Sequence, residues 1–227
     1  MLRRSVSFLC VASSLLLAQQ NSQDNGAPSL LAPEADTVKQ YVREARSKAF
    51  DVRASFSMLE PVPGRVGNPF VIVDFKEQPE LPHEEADTIV IGEVTRVQPF
   101  LSSDRKGLYN EYMVKILDSI KARASEVIVP GYTLTLVRQG GTARLPDGRL
   151  VKHNIMHDVT PAVGQQYLMF LKYLPGLEAF AYNKLWLIQE GKLKALYTDD
   201  LNRARNGQSK YADQPVSEAS SVLKIQR

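Results

Sequence analysis

The chain has 227 residues, enough for one domain with extensions, and its 28 basic against 25 acidic residues leave it close to neutral. That balance argues against a nucleic-acid binder, which carries a marked basic excess. The single cysteine, Cys10, excludes an internal disulfide framework and a thiolate metal centre.

Leu2-Arg3-Arg4 forms a positive start, Val6 to Ala18 an apolar run, and Gln19-Gln20-Asn21-Ser22 a polar flank. The run is too short to span a bilayer, so residues 1–18 are expected to be a secretory signal peptide cut after Ala18. A lipid anchor on Cys10 is disfavoured because Leu9 stands where such signals need a small residue. Without Arg3 and Arg4, 26 basic residues face 25 acidic ones. There is also no N-x-[ST] sequon. The expectation is bacterial export to the periplasm or the exterior, with no transmembrane segment in the mature chain.

Residues 19–35, rich in Gln, Asn, Ser and Ala, read as a disordered leader. Residues 36–84 read as a helix followed by an extended arm. Thr37 with Gln40 forms a capping box, and Val38, Tyr41, Val42, Ala45 and Ala49 recur at helical spacing. The other face carries Lys39, Arg43, Arg46 and Lys48 and is expected in solvent, or on an anionic membrane in the sharper reading. In the proline-punctuated arm, Phe70 to Phe75 is one short strand. His83-Glu84-Glu85-Ala86-Asp87 approaches the zinc-protease pattern H-E-x-x-H, but Asp87 replaces the second histidine. Its carboxylates could serve acid-base chemistry, or simply be solvated.

Ala86 to Val97 is dense in β-branched residues and reads as the first strand of a small barrel, with Gly92 as a place to bend. Tyr109 to Ile120 alternates, with a bulge expected at Asp118-Ser119. Thr133 to Val137 is a third strand. Residues 142–145 and 149–152 flank Pro146-Asp147-Gly148 in a short, polar, protruding hairpin. Tyr167 to Leu174 is the most hydrophobic run after the leader and is expected to be a strand buried on both faces. Phe180 to Asn183 and Leu185 to Gln189 are two further strand candidates, and Glu190-Gly191 turns the second into Lys192 to Tyr197. Residues 198–227 read as a flexible tail, loose from Asp199 to Gln214, with a short helix carrying Val216, Ala219 and Leu223 behind Asp213.

The fold class expected is therefore mostly β: an OB-like antiparallel barrel over 85–197 with an N-terminal amphipathic helix and extended arm. The stretches Asp87-Thr88-Ile89-Val90-Ile91-Gly92-Glu93-Val94, Tyr112 to Leu117 and Val163-Gly164-Gln165-Gln166-Tyr167-Leu168-Met169-Phe170-Leu171 resemble the OB-type barrel of the netrin-like and tissue-inhibitor-of-metalloproteinase group. The resemblance covers about residues 86–197 and implies a fold. The inhibitors of that group present an N-terminal cysteine to the protease zinc and staple the barrel with disulfides. Neither feature has a counterpart here, so inhibition is not implied.

Three readings of function follow. The first is a non-catalytic binding or interaction protein of the cell envelope with a protein or glycan partner. Tyr132, Arg138, Arg144, Arg149 and Lys152 are its candidate ligand-binding rim, because OB-type barrels bind on strands two and three and the adjoining loops. The second is a hydrolase-like enzyme with an unrecognised site. No G-x-S-x-G, P-loop or C-x-x-C pattern supports it, and no cofactor is implied. The third is weak metal binding by His153 and His157, which share a face if the segment is extended, with Asp158 placed to orient His157. Exposed or structurally bonded histidines are the plainer alternative.

Overall fold

The structure, a computed structural model, describes residues 38–51, 79–123, 127–153 and 159–225. The stretches expected to be a signal peptide and a leader, the expected strand Phe70–Phe75, and His157 lie outside them. The order is α1 (Gln40–Ala49), β1 (Thr88–Leu101), β2 (Leu108–Lys121), β3 (Thr133–Gln139), β4 (Gly141–Arg144), β5 (Leu150–His153), β6 (Gln166–Leu174), a 3-10 turn (Pro175–Leu177), β7 (Ala179–Gln189), β8 (Lys192–Lys194), α2 (Thr198–Arg205) and α3 (Val216–Ile225).

β1 organises the sheet, pairing antiparallel with β2 on one side and β6 on the other. The sheet runs β3-β2-β1-β6-β7-β8, and a parallel contact of Leu136 with Phe180 joins β3 to β7. Five strands therefore close into a barrel, and the mostly β, OB-like architecture is as expected. Closure needs sharp bends, and the ladder slips where β1 and β2 curl. Thr95 on β1 and Leu117 and Ile120 on β2 have no partner in register. Gly92 sits beside one of these slips, opposite Ile116 and Tyr167. A Cβ added there would lie 2.5 Å from Val114 Cγ1 and 3.3 Å from the Lys115 carbonyl oxygen. Close approach of two strands thus accounts for the glycine.

The barrel core holds Val90, Val94, Tyr112, Val114, Ile116, Leu134, Leu136, Tyr167, Met169, Leu171, Phe180, Tyr182 and Leu185. A second core lies outside the wall, where Leu168 and Phe170 of β6 meet Ile89, Trp186, Leu193 and the α3 residues Ala219 and Leu223. β6 is buried on both faces for this reason. Ile120 is buried as expected, but it belongs to this outer core and not to the barrel interior.

Two differences from the sequence reading share a cause. The separate strands expected at Phe180 and Leu185 are one strand, β7, in which Asn183 bulges out of the pairing with β6. Tyr182 and Leu185 both face the interior, an odd spacing that only the extra residue permits, and Lys184 and Trp186 turn to the outer wall. The tail expected to be loose is folded there. α2 begins at Thr198, Asp200 is 1% exposed, and Glu80 accepts hydrogen bonds from Ser209 Oγ and the Lys210 amide. α3 carries Val216, Ala219 and Leu223 as expected, while Asp213 pairs with Lys194 instead of capping the helix. β8 is shorter than its expected run and ends at Lys194.

Candidate functional site

In an OB-type barrel ligands gather on strands two and three between the first and last inter-strand loops. Here α1 is set against the outer side of β2. Glu111 points outward from β2 and is met by both Arg43 and Arg46, the latter with Nη1 at 3.1 Å from Oε2. Arg46 also donates to the carbonyls of Leu177 and Glu178 at 2.8 and 2.9 Å, reaching the turn between β6 and β7. At the other end, the Ser103 amide of the β1–β2 loop donates to the Ser47 carbonyl, and Asp51 accepts from Ser103 Oγ and the Asp104 amide. The Arg43 guanidinium lies 3.8 Å from the centroid of Phe100, and Phe50 stacks on Tyr109 at 4.9 Å. Val137, the register partner of Glu111, is 1% exposed although it lies outside the barrel core.

The basic face of α1 was expected in solvent; Lys39 and Lys48 are exposed, but Arg43 and Arg46 turn to the barrel, and for these two the expectation is corrected. Val42 and Arg46 are the buried residues of the helix, while Tyr41 stands 57% exposed and donates to Glu178 Oε1. A covered carboxylate needs a counter-charge, and arginine supplies it with several directed donors. Thr37 lies outside the described residues, and Lys39 at the N-cap makes no side-chain capping bond.

With α1 set against the outer side of β2, the β4–β5 hairpin is an exposed basic feature beside it. Its turn follows from the sequence. The Gly148 amide donates to the Leu145 carbonyl at 2.9 Å, Gly148 has φ +87°, and the Leu145 amide closes on the Arg149 carbonyl. Asp147 accepts from the amide and Nε of Arg149, which holds its carboxyl below the usual value. The cross-strand pair Ala143 and Val151 faces inward and packs with Leu108, so the hairpin is a seated ledge and not a free flap. Arg144, Arg149 and Lys152 are exposed, with Leu150 58% exposed among them.

Of the five rim candidates, these three share the hairpin. Arg138 has the inward parity of Leu134 and Leu136. It lies over the Tyr182 ring at 4.6 Å and donates to the Tyr182 carbonyl. Tyr132 precedes Thr133 at the far end of β3, six residue steps or roughly 20 Å from Arg138, and takes no part in the hairpin.

His153 ends β5 and is 6% exposed. Its Nδ1 accepts from the Leu108 amide at 3.2 Å, which assigns it the structurally bonded role, and burial lowers its pKa. His157 is outside the described residues, so the pair is not placed together. Among the described residues no group of three metal-ligating side chains gathers. His83 to Asp87 forms a turn with Glu84 and Glu85 exposed, and Asp87 accepts from the Tyr173 amide. Lys121 fastens this turn through the carbonyls of His83 and Ala86.

The sequence reading missed the most buried ionic pair among the described residues, Lys184 of β7 with Asp200 of α2. Lys184 is 3% exposed, and its Nζ lies 2.9 Å from each carboxylate oxygen. Nothing in the run Thr198-Asp199-Asp200 marks one aspartate for burial, because the signal is the bulge at Asn183 that turns Lys184 outward.

These elements define a small closed β-barrel, OB-like at the level of fold, with its own helix set against the outer side of β2. No protein-family model matches the chain, and no curated protein matches it. Of the expected resemblance, what stands is an OB-like barrel at the level of fold. Among the described residues no helix is long and apolar enough to cross a membrane.

Proposed function

We propose that the protein is an exported, non-catalytic binding module that engages an acidic protein or glycan of the cell envelope through the β4–β5 hairpin. The observation that carries this reading is the division of the hairpin into two faces. Ala143 and Val151 anchor it to the barrel, and Arg144, Arg149 and Lys152 are left exposed on a ledge seated against Leu108. A seated support lowers the ordering cost of binding, and a local basic cluster on a nearly neutral chain draws an anionic partner by proximity. Export rests on the N-terminal charge and apolar pattern and predicts a secreted chain beginning at Gln19. N-terminal sequencing of the protein recovered outside the cytoplasm checks it.

The test uses heparin as a polyanion probe. The triple variant Arg144→Glu, Arg149→Glu, Lys152→Glu should elute from immobilised heparin at lower salt than the wild type, with its far-UV circular dichroism unchanged. Each phosphate-like or sulfate contact removed lessens the salt dependence in the same direction as for other polyanions. Identical elution of the two proteins would end the proposal.

A further inference from the structure

The pair Lys184 and Asp200 is enclosed more completely than an ion pair needs. Pro79 and Glu80 strap one side, the Trp186 and Tyr197 rings lie 5.8 and 6.0 Å from Nζ, and the two residues are 3% and 1% exposed. Nζ donates to Asp200 Oδ1 at 2.9 Å and to the Pro79 carbonyl at 3.0 Å. It is equally close to Oδ2, yet Oδ2 has no hydrogen bond and is buried. Nζ at 2.9 Å from both oxygens lies within about 3.5 Å of the carboxyl carbon between them, the separation of a near-attack arrangement. Arg203 Nη1 is 3.7 Å from Oδ1.

We infer that Lys184 and Asp200 form an intramolecular isopeptide bond, a modification that covalently ties α2 to the barrel wall. The balance is simple. One proton passes from the Lys184 ammonium to Asp200 Oδ2, 2.9 Å from Nζ, giving an amine and a carboxylic acid whose hydroxyl oxygen is Oδ2. The amine keeps one N–H on the Pro79 carbonyl and directs its lone pair to the carboxyl carbon. The C–N bond forms with negative charge on Oδ1, which Arg203 faces. The nitrogen then loses a second proton to Oδ2, the C–Oδ2 bond breaks, and one water leaves. No oxidant, reductant or co-reactant enters, and the oxygen expelled is the one without a hydrogen bond.

Two features of the site favour the step. Burial raises the Asp200 carboxyl, against the lowering effect of Lys184 and Arg203, so the neutral acid that the reaction requires is more accessible than in water. Amide formation is disfavoured in bulk because water is both product and solvent. Well-oriented intramolecular partners reach effective molarities of about 10⁵–10⁸ M, far above the concentration of water.

The experiment is the intact mass of the purified full chain by electrospray under denaturing conditions, read against its own N-terminus. The wild type should weigh one water, about 18 Da, less than its sequence. Tryptic digestion should give Tyr173–Lys192, uncut at Lys184, joined to Ala195–Arg203. Lys184→Arg keeps a positive charge but cannot form the bond, and should show the full sequence mass. A wild-type mass equal to the sequence, or the same loss in Lys184→Arg, overturns the proposal.

Discussion

Gly92 shows how one missing methyl group sets a fold. Its Cα faces Val114 so closely that any β-carbon collides with that side chain and crowds the Lys115 carbonyl. Both neighbours belong to a ladder already slipped at this point, so neither can retreat without losing pairing. Gly92→Val should lower stability by about 1–3 kcal/mol, the usual cost of forcing extra atoms into a packed wall. Urea denaturation measures it, and an unchanged midpoint would mean that the strands do not approach as described. His153 gives a second residue-scale expectation. Its pKa is lowered by burial, so the folded state favours the neutral ring more than the unfolded chain does. A depressed folded pKa contributes stability above the unfolded value, near 6.5, that is lost as pH falls below it. His153→Asn, which keeps an acceptor for the Leu108 amide without titrating there, should flatten the fall in melting temperature below about pH 6.5. Equal slopes for the two proteins would contradict this.

At the scale of elements, α1 is attached chiefly through charge and aromatic contact. Arg43 and Arg46 converge on Glu111, and removing one partner of a buried pair costs about 3–5 kcal/mol because the other charge is left without its counter-ion. The helix is ten residues long, short of what is stable alone in water. Glu111→Ala should therefore release α1 while the barrel stays folded. Hydrogen exchange would show faster exchange at amides 42–49, with protection in β1 and β6 retained. Unchanged protection of α1 would show that Glu111 does not hold it. The β4–β5 hairpin behaves differently. Its inner pair packs with Leu108, so charge changes on its outer residues should alter binding and not attachment.

For the whole molecule, legibility followed the range of the forces involved. β1, β2, β3 and β6 were readable because alternation and β-branching are local, and the turn at Pro146 to Gly148 because its chemistry spans four residues. The inner face of α1 was not readable. Two arginines on a helix look solvated until their counter-charge, sixty-five positions later on β2, is folded against them. β7 looked like two strands because the Asn183 bulge breaks its period, and the same break hid the burial of Lys184 and so of Asp200. The rim read around Arg138 failed for Tyr132 because a strand's two ends lie on opposite sides of a barrel, which sequence adjacency cannot express. The hairpin cluster of Arg144, Arg149 and Lys152 was legible because a tight turn gathers its own flanks.

The contact of Leu136 with Phe180 is the one place where β3 and β7 meet in parallel. Like the β1–β6 ladder, it joins strands far apart in the chain, whereas β1 with β2 and β6 with β7 are near-neighbour antiparallel pairs. Loop closure at β1–β6 is repaid by a ladder of six register pairs, whereas β3–β7 offers a single one, so the β3–β7 seam is expected to shut after the rate-limiting step. Phe180→Ala would then accelerate unfolding while leaving the refolding rate nearly unchanged, and stopped-flow chevron plots would separate the two limbs. A matching loss on the refolding limb would place the seam inside the nucleus. The order in which the wall is sewn, and not only its final shape, is thus written into a single pair of apolar side chains.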